Sequence, residues 1–283
     1  MIDDKGTLTK EQVEETVTKL NITAVTTLDP EKYYYEDIIA KYIKDVYGIY
    51  LKNPLAMKDI KDSINELANA IDNAQIVMIP GGFSAGDEPE GSGKFIATVL
   101  RNSKIKEAIT DLLDNREGLM IGICNGFQAL IKLGLLPYGK IKDMDKDDPT
   151  LTFNTIGRHV SQMVDTRVAT VKSPWLANLN VGDIHTIPVS HGEGRFVAKE
   201  EVIQKLFENG QVITQYVDEN NQVTMKSPYN PNGSMMAIEG ILSKDGRILG
   251  KMGHTERYDK GLYKNFDADF DMGLFKSLVE YYK

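Results

Sequence analysis

The chain has 283 residues, a single cysteine and a net charge of −8, with 41% apolar and 26% charged residues. That length builds one large domain or a domain with a substantial insertion, and the acidic balance argues against a nucleic-acid interface, which needs a basic face for phosphates. No apolar run approaches the roughly 18 residues of a membrane span, and a lone cysteine excludes an internal disulfide and fits a reducing, cytoplasmic setting.

Thr7–Leu20 reads as a charged helix capped by Thr9, with Glu11 and Glu15 on its face. The polar opening Met1-Ile-Asp-Asp-Lys-Gly6 does not have the pattern of a secretory signal. A β-rich run, Ile22–Leu28, comes next. Helical spacing follows over Tyr33–Tyr47, through Ile38, Ile39, Tyr42, Ile43 and Val46, and then a short strand, Ile49–Leu51. Met57–Ile71 is amphipathic, with Ile60, Ile64, Leu67 and Ile71 on one side. Gln75–Ile79 is a continuous apolar strand ended by Pro80-Gly-Gly82. Lys94–Asn115 is helical with a break near Asn102. Leu119–Ile123 is a second buried strand, and Gly126–Leu135 is the helix after it. Short, wholly apolar strands alternating with helices indicate an α/β fold with a parallel sheet covered on both faces.

Lys140–Asp148 is a charged, solvated connection, and from Leu151 the character changes. Strand-like pieces at Phe153–Ile156, Gln162–Val171, Ile184–Val189, Gln211–Val217 and Met236–Leu242 are separated by Gly, Pro and Asn, which points to an antiparallel second half. Arg247–Gly253 is a last strand, and Phe270–Tyr282 a closing helix.

Cys124 stands where the apolar run Leu119–Ile123 meets the small-residue turn before a helix. Such a corner displays a side chain, and the helix N-terminus favours the thiolate. A cysteine nucleophile needs a base, a group to orient that base, and donors for the oxyanion. Of the four histidines, His159, His185, His191 and His254, the last lies just past a strand with Glu256 two residues on. In an extended segment i and i+2 share a side, so Glu256 can fix the imidazole tautomer. His-x-Glu is weak alone and gains weight only beside Cys124. His191, in Pro188-Val-Ser-His-Gly-Glu-Gly194, is a rival base or a piece of pocket wall.

Pro80-Gly-Gly-Phe-Ser84 can present close backbone N–H groups or be a simple turn, and the amide of Asn125 adjoins the nucleophile. Gln128, on the first turn after Cys124, either meets an amide substrate or is an ordinary helical polar residue. Gly91-Ser-Gly-Lys94 imitates a phosphate loop, but Glu88 stands where that loop needs glycine and Phe95 where it needs Ser or Thr.

Three segments, Pro80-Gly-Gly-Phe-Ser-Ala-Gly-Asp87, Gly122-Ile-Cys-Asn-Gly-Phe-Gln128 and Gly253-His-Thr-Glu-Arg257, together resemble the class I glutamine amidotransferases. His191-Gly-Glu-Gly-Arg-Phe196, Asn230-Pro-Asn-Gly-Ser234 and Gly261-Leu-Tyr-Lys-Asn265 narrow the resemblance to the glutaminase domain of phosphoribosylformylglycinamidine synthase, over about Ile60 to the C-terminus. By resemblance the fold is a flavodoxin-like, mostly parallel sheet flanked by helices, of the class I glutaminase type, with an antiparallel extension in the second half. Residues 1–20 form an N-terminal helical extension and 21–283 the glutaminase domain.

The resemblance implies that Cys124 attacks the side-chain amide of glutamine, His254 is the base and Glu256 orients it. Gly82 and Asn125 would form the oxyanion hole. Gly81, Phe83, Gln128, His191 and Gly192 would hold the substrate. Asn230–Ser234 is better read as a packing turn than as a ligand site. No metal or cofactor is expected in the chain. ATP and Mg²⁺ belong to a synthetase partner that receives the ammonia, and neither nucleic acid nor membrane is a partner. One departure is plain: family members carry a Gly-x-Asn-Cys-Glu-like loop after the first strand, whereas Asp29-Pro-Glu-Lys-Tyr-Tyr-Tyr-Glu36 has no cysteine. The competing readings are a cysteine hydrolase of related fold acting on another amide or ester, and a non-catalytic docking subunit.

Overall fold

The computed structural model describes residues 60–82, 93–258, 261–265, 268 and 270–283. The elements expected over residues 1–59, the domain boundary at residue 20, the cysteine-free loop, Phe83 and the acidic stretch around Glu88 lie outside the described residues. The chain divides into two units between Leu67 and Ala68. Helix α1 (Ile60–Asp72) crosses that division, and the unit Ala68–Lys283 carries everything that follows.

Strand β1 (Ile76–Ile79) leads to α2 (Lys94–Leu100) and α3 (Ser103–Asp114). The break expected near Asn102 is a fresh helix start, because the Asn102 side chain accepts the Lys104 N–H at 3.1 Å and caps α3. Strand β2 (Leu119–Ile123) is buried throughout, and α4 (Asn125–Leu133) stops at Gly134, whose φ of 79° is the left-handed helix ending. The second half holds β3 (Thr150–Thr152), β4 (Val160–Val168), β5 (Ile184–His191) and β6 (Arg195–Val197). After these come α5 (Glu200–Glu208), β7 (Val212–Tyr216), β8 (Ile238–Leu242), β9 (Ile248–Lys251) and α6 (Leu274–Tyr281).

Among the described residues, seven strands form one sheet in the order β1-β2-β9-β8-β7-β4-β5, and β3 pairs with β6 separately. β1, β2 and β9 are parallel, with Ile79 opposite Gly122 and Ile123 opposite Lys251. The remaining ladders, from β9 through β8, β7 and β4 to β5, are antiparallel. The change of character expected near Leu151 is therefore a change from parallel to antiparallel pairing. The carboxyl ends of β1, β2 and β9 align, which is where α/β sheets bind ligands.

The sheet curls. β5 is the last strand in the order, yet the His254 N–H beyond β9 donates to the Pro188 carbonyl of β5 at 2.8 Å. Cys124 Sγ, just past β2, lies 3.6 Å from the Ser190 carbonyl.

Three expectations shift. The strand placed at Phe153–Ile156 stands earlier, at β3, because buried Asn154 turns the chain: its side chain donates to the carbonyls of Arg158 and His191 and accepts the Gly194 N–H. The start of Met236–Leu242 is a tight turn with Met236 and Ala237 at positive φ, so β8 begins at Ile238. The closing helix begins only at Leu274, after Gly273 at φ 61°. Helix α5 was not foreseen, although Glu200 and Glu201 in its first turn and buried Ile203 and Leu206 mark an amphipathic helix.

Candidate active site

Cys124 sits at the corner between β2 and α4 with φ 52° and ψ −105°, a backbone conformation sparsely populated by residues with a Cβ. Such a conformation costs about 1–3 kcal/mol and survives where neighbours over-determine it. Here the Cys124 N–H donates to the Lys251 carbonyl at 2.8 Å, and the Cys124 carbonyl accepts the Gln128 N–H at 3.0 Å. The helix can approach the strands because Gly126 has no side chain: a Cβ there would stand 2.0 Å from the Ile79 carbonyl oxygen. Cys124 is 6% exposed and stands at the N-terminal end of α4, where the helix carries partial positive charge.

His254 Nδ1 lies 2.6 Å from Glu256 Oε1. Burial opposes ionisation of Glu256, but the His254 hydrogen bond and the nearby positive charges, Lys251 among them, hold its carboxyl below the usual range. An ionised carboxylate only accepts, so Nδ1 carries the proton and Nε2 carries the lone pair. Nε2 is buried, with no hydrogen-bond partner among the described residues. Gly81, the second residue past β1, lies against both groups: a Cβ on it would stand 2.4 Å from His254 Cε1 and 3.3 Å from the Cys124 Cβ. The three parallel strand ends thus bring Gly81, Cys124 and His254 together.

The other expected residues fall around this centre in different ways. Gly82 is an exposed bend at φ 153°, directly after Gly81, and Asn125 is the buried first residue of α4. The Gln128 side chain donates to the Glu193 carbonyl at 2.5 Å, so its amide nitrogen braces the His191–Arg195 segment. Gly192 offers its carbonyl to the Asn154 N–H at 2.9 Å. His191 is buried, with Nδ1 3.2 Å from Asn154 Oδ1, an oxygen that also accepts the Gly194 N–H. That makes Nδ1 the donor, and Nε2 presents a buried lone pair with no partner among the described residues. Burial first, then the proximity of the His159 and His254 imidazoles, pushes the His191 pKa down to about 3. His191 has an amide where His254 has a carboxylate, which distinguishes the two candidate bases.

His185 lies within β5, opposite Thr166, and His159 Nε2 contacts Ser190 Oγ at 3.0 Å. Asn230, Asn232 and Ser234 are buried, and Asn232 donates to the Gly194 carbonyl at 2.8 Å and to the Tyr216 hydroxyl at 3.1 Å. This turn braces the loop beside the site. Sequence reading missed Asn154, for which no pattern gave warning. It also missed the buried pair Glu239 and Lys251, which did leave a signal: a charged residue in each of two apolar strands, Ile238–Leu242 and Ile248–Lys251. Among the described residues, no group of three or more His, Cys, Asp or Glu could hold a metal ion, and no helix is long and apolar enough to cross a membrane.

Residues 48–282 match the family described as the CobB/CobQ-like glutamine amidotransferase domain. The chain belongs to the glutamine amidotransferases. A phosphoribosylformylglycinamidine synthase subunit PurQ of Aquifex aeolicus is 34% identical over 77% of this chain and 88% of its own length. A PurQ subunit of Methanococcus maripaludis is 38% identical over 70% of each chain. The solved structure of PurLQS from Thermotoga maritima superposes with a TM-score of 0.56 at 30% identity, covering 75% of this chain and 82% of that one. These relatives place this amidotransferase among the glutaminase subunits of phosphoribosylformylglycinamidine synthase.

Proposed function

We propose that Cys124, His254 and Glu256 hydrolyse the side-chain amide of glutamine and that the ammonia passes to a synthetase partner making formylglycinamidine ribonucleotide. The observation that carries this reading is the His254 imidazole, held at Nδ1 by Glu256 at 2.6 Å with no partner for Nε2 among the described residues, and sharing Gly81 as a neighbour with Cys124. Cys124 Sγ attacks the amide carbon as its proton passes to His254 Nε2. The oxyanion forms toward the amides of Gly82 and Asn125. His254 then protonates the leaving nitrogen, and ammonia departs from a γ-glutamyl thioester. Water, deprotonated by His254, attacks the thioester; glutamate leaves and the thiol is restored. Glu256 keeps Nδ1 as the donor throughout. The buried Nε2 of His191 accepts a hydrogen bond from a substrate N–H, and Gly81, Gln128 and Gly192 shape the glutamine pocket.

The catalytic domain works in the cytoplasm. The partner holds ATP and Mg²⁺; neither nucleic acid nor membrane takes part. The test is Cys124→Ala in the complex with the synthetase. Glutamine-dependent synthesis is lost, while ammonium salts still support it. Equal loss with both nitrogen sources overturns the reading.

A further inference from the structure

Lys251 ends β9 with no exposed surface, and Glu239 on the adjacent β8 is 1% exposed. Their side chains pair at 3.3 Å. A buried ion pair is weak evidence for stability, since removing two charges from water offsets most of their attraction. What this pair does add is directed hydrogen bonds. Glu239 Oε1 accepts the Gly253 N–H at 2.6 Å, and its Oε2 accepts the Thr214 hydroxyl. Lys251 Nζ donates to the Gly253 carbonyl at 3.2 Å. β9 has already ended at Lys251, so ladder pairing does not serve Gly253.

The Gly253 carbonyl and the His254 N–H belong to one peptide plane. Lys251 Nζ holds one side of that plane and the Pro188 carbonyl holds the other, at 2.8 Å. The main-chain carbonyl of Lys251 meanwhile accepts the Cys124 N–H at 2.8 Å. One residue therefore ties down the backbone of the nucleophile and, through its side chain, the peptide that carries the base. Gly253 has no room to drift, because a Cβ there would stand 2.0 Å from Ile187 Cδ1.

We infer that Glu239 and Lys251 are positioning residues for glutamine hydrolysis, a buried ionic clamp on Gly253 that fixes the His254 imidazole relative to Cys124. The inference rests on the glutaminase reading above. The Lys251 charge also helps keep Glu256 ionised, so the clamp acts on the orienting carboxylate as well.

The test uses the full chain with its synthetase partner. Glu239→Gln keeps an acceptor for the Gly253 N–H but loses the charge, and Lys251→Met loses the ammonium. Either leaves a buried group unpaired and can fail to fold, so the double variant Glu239→Leu/Lys251→Met removes both charges together. The double variant folds, its kcat falls about tenfold or more, and its KM for glutamine stays within about twofold, as loss of alignment requires. Glu239→Gln, where it folds, retains more activity than Glu239→Ala. Cys124 is the only cysteine, so its alkylation by iodoacetamide gives a second readout independent of glutamine. In the double variant the pH of half-maximal alkylation moves by about half a unit or more. A double variant with the wild-type kcat and alkylation profile overturns the clamp, as does a raised KM at unchanged kcat. Failure of the double variant to fold assigns the pair a structural role and overturns it too. If the wild-type complex does not hydrolyse glutamine, the glutaminase reading fails and the alkylation shift alone decides the clamp.

Discussion

Gly81 seats the His254 imidazole: a Cβ at position 81 would come within 2.4 Å of Cε1 and 3.1 Å of Nδ1. The backbone at Gly81 is free of positive-φ strain, so the obstacle to alanine is the His254 ring, with the Cys124 Cβ a lesser crowding at 3.3 Å. Gly81→Ala displaces the base and lowers kcat about 100-fold, the scale of a 1 Å misplacement, while the thermal midpoint stays within a few degrees. Paired rate and melting measurements check this; an undiminished rate sinks the role given to Gly81.

Glu256→Gln removes the charge that fixes the His254 proton on Nδ1, and glutamine hydrolysis falls about 100-fold or more. Stability changes in a defined pH window. The Glu256 carboxyl is held below its usual 4.5 in the folded state, so its contribution is complete above pH 4.5 and is lost as pH falls through the lower folded value. Urea unfolding of the two proteins therefore shows a gap that is constant above that pH and closes below it. A gap that widens in acid contradicts the hydrogen bond to an ionised Glu256.

His191 is held neutral, with its pKa pushed from 6.5 to about 3 by burial and by His159 and His254. A depressed folded value means stability is full above pH 6.5 and falls as pH drops toward 3, by about 1.4 kcal/mol per unit. His191→Asn removes this slope. The measurement is the change in unfolding free energy between neutral and mildly acid buffer, wild type against variant. Equal slopes would falsify the buried, neutral assignment.

Gly126→Ala drives a methyl into the Ile79 carbonyl, where the Cβ would stand 2.0 Å away. Helix α4 must lift off the sheet, at a cost of about 3 kcal/mol, and the Cys124 corner moves with it. Denaturant titration reads the first effect and the alkylation rate of Cys124 the second. A loss under about 1 kcal/mol shows the close approach to be dispensable.

Local pattern reached far in the first half of the glutaminase unit. Apolar Leu119–Ile123 running into Cys124-Asn-Gly126 announced a strand, a corner and a helix, because each residue's neighbours in sequence are also its neighbours in space. His254 and Glu256 were legible for the same reason: two residues in an extended segment share a side. The antiparallel half was read as strands but misplaced at Phe153–Ile156 and at the start of β8. Those boundaries are set by the side chain of Asn154 and by a turn with two residues at positive φ, neither of which has a periodic signature.

The sequence by itself singled out Cys124, His254 and Glu256 as the candidate nucleophile, base and orienting carboxylate, and it determined the α/β class and the family, since these rest on short motifs and on strand and helix periods. Tertiary structure alone decided how the sheet curls to bring Pro188 and Ser190 of β5 onto the ends of β9 and β2. It decided that Gln128 braces Glu193, that Gly81 stands against both Cys124 and His254, and that Glu239 and Lys251 meet beneath Gly253. These are contacts between segments far apart in the chain. Packing and the need to satisfy buried polar groups select them, and no local pattern encodes either.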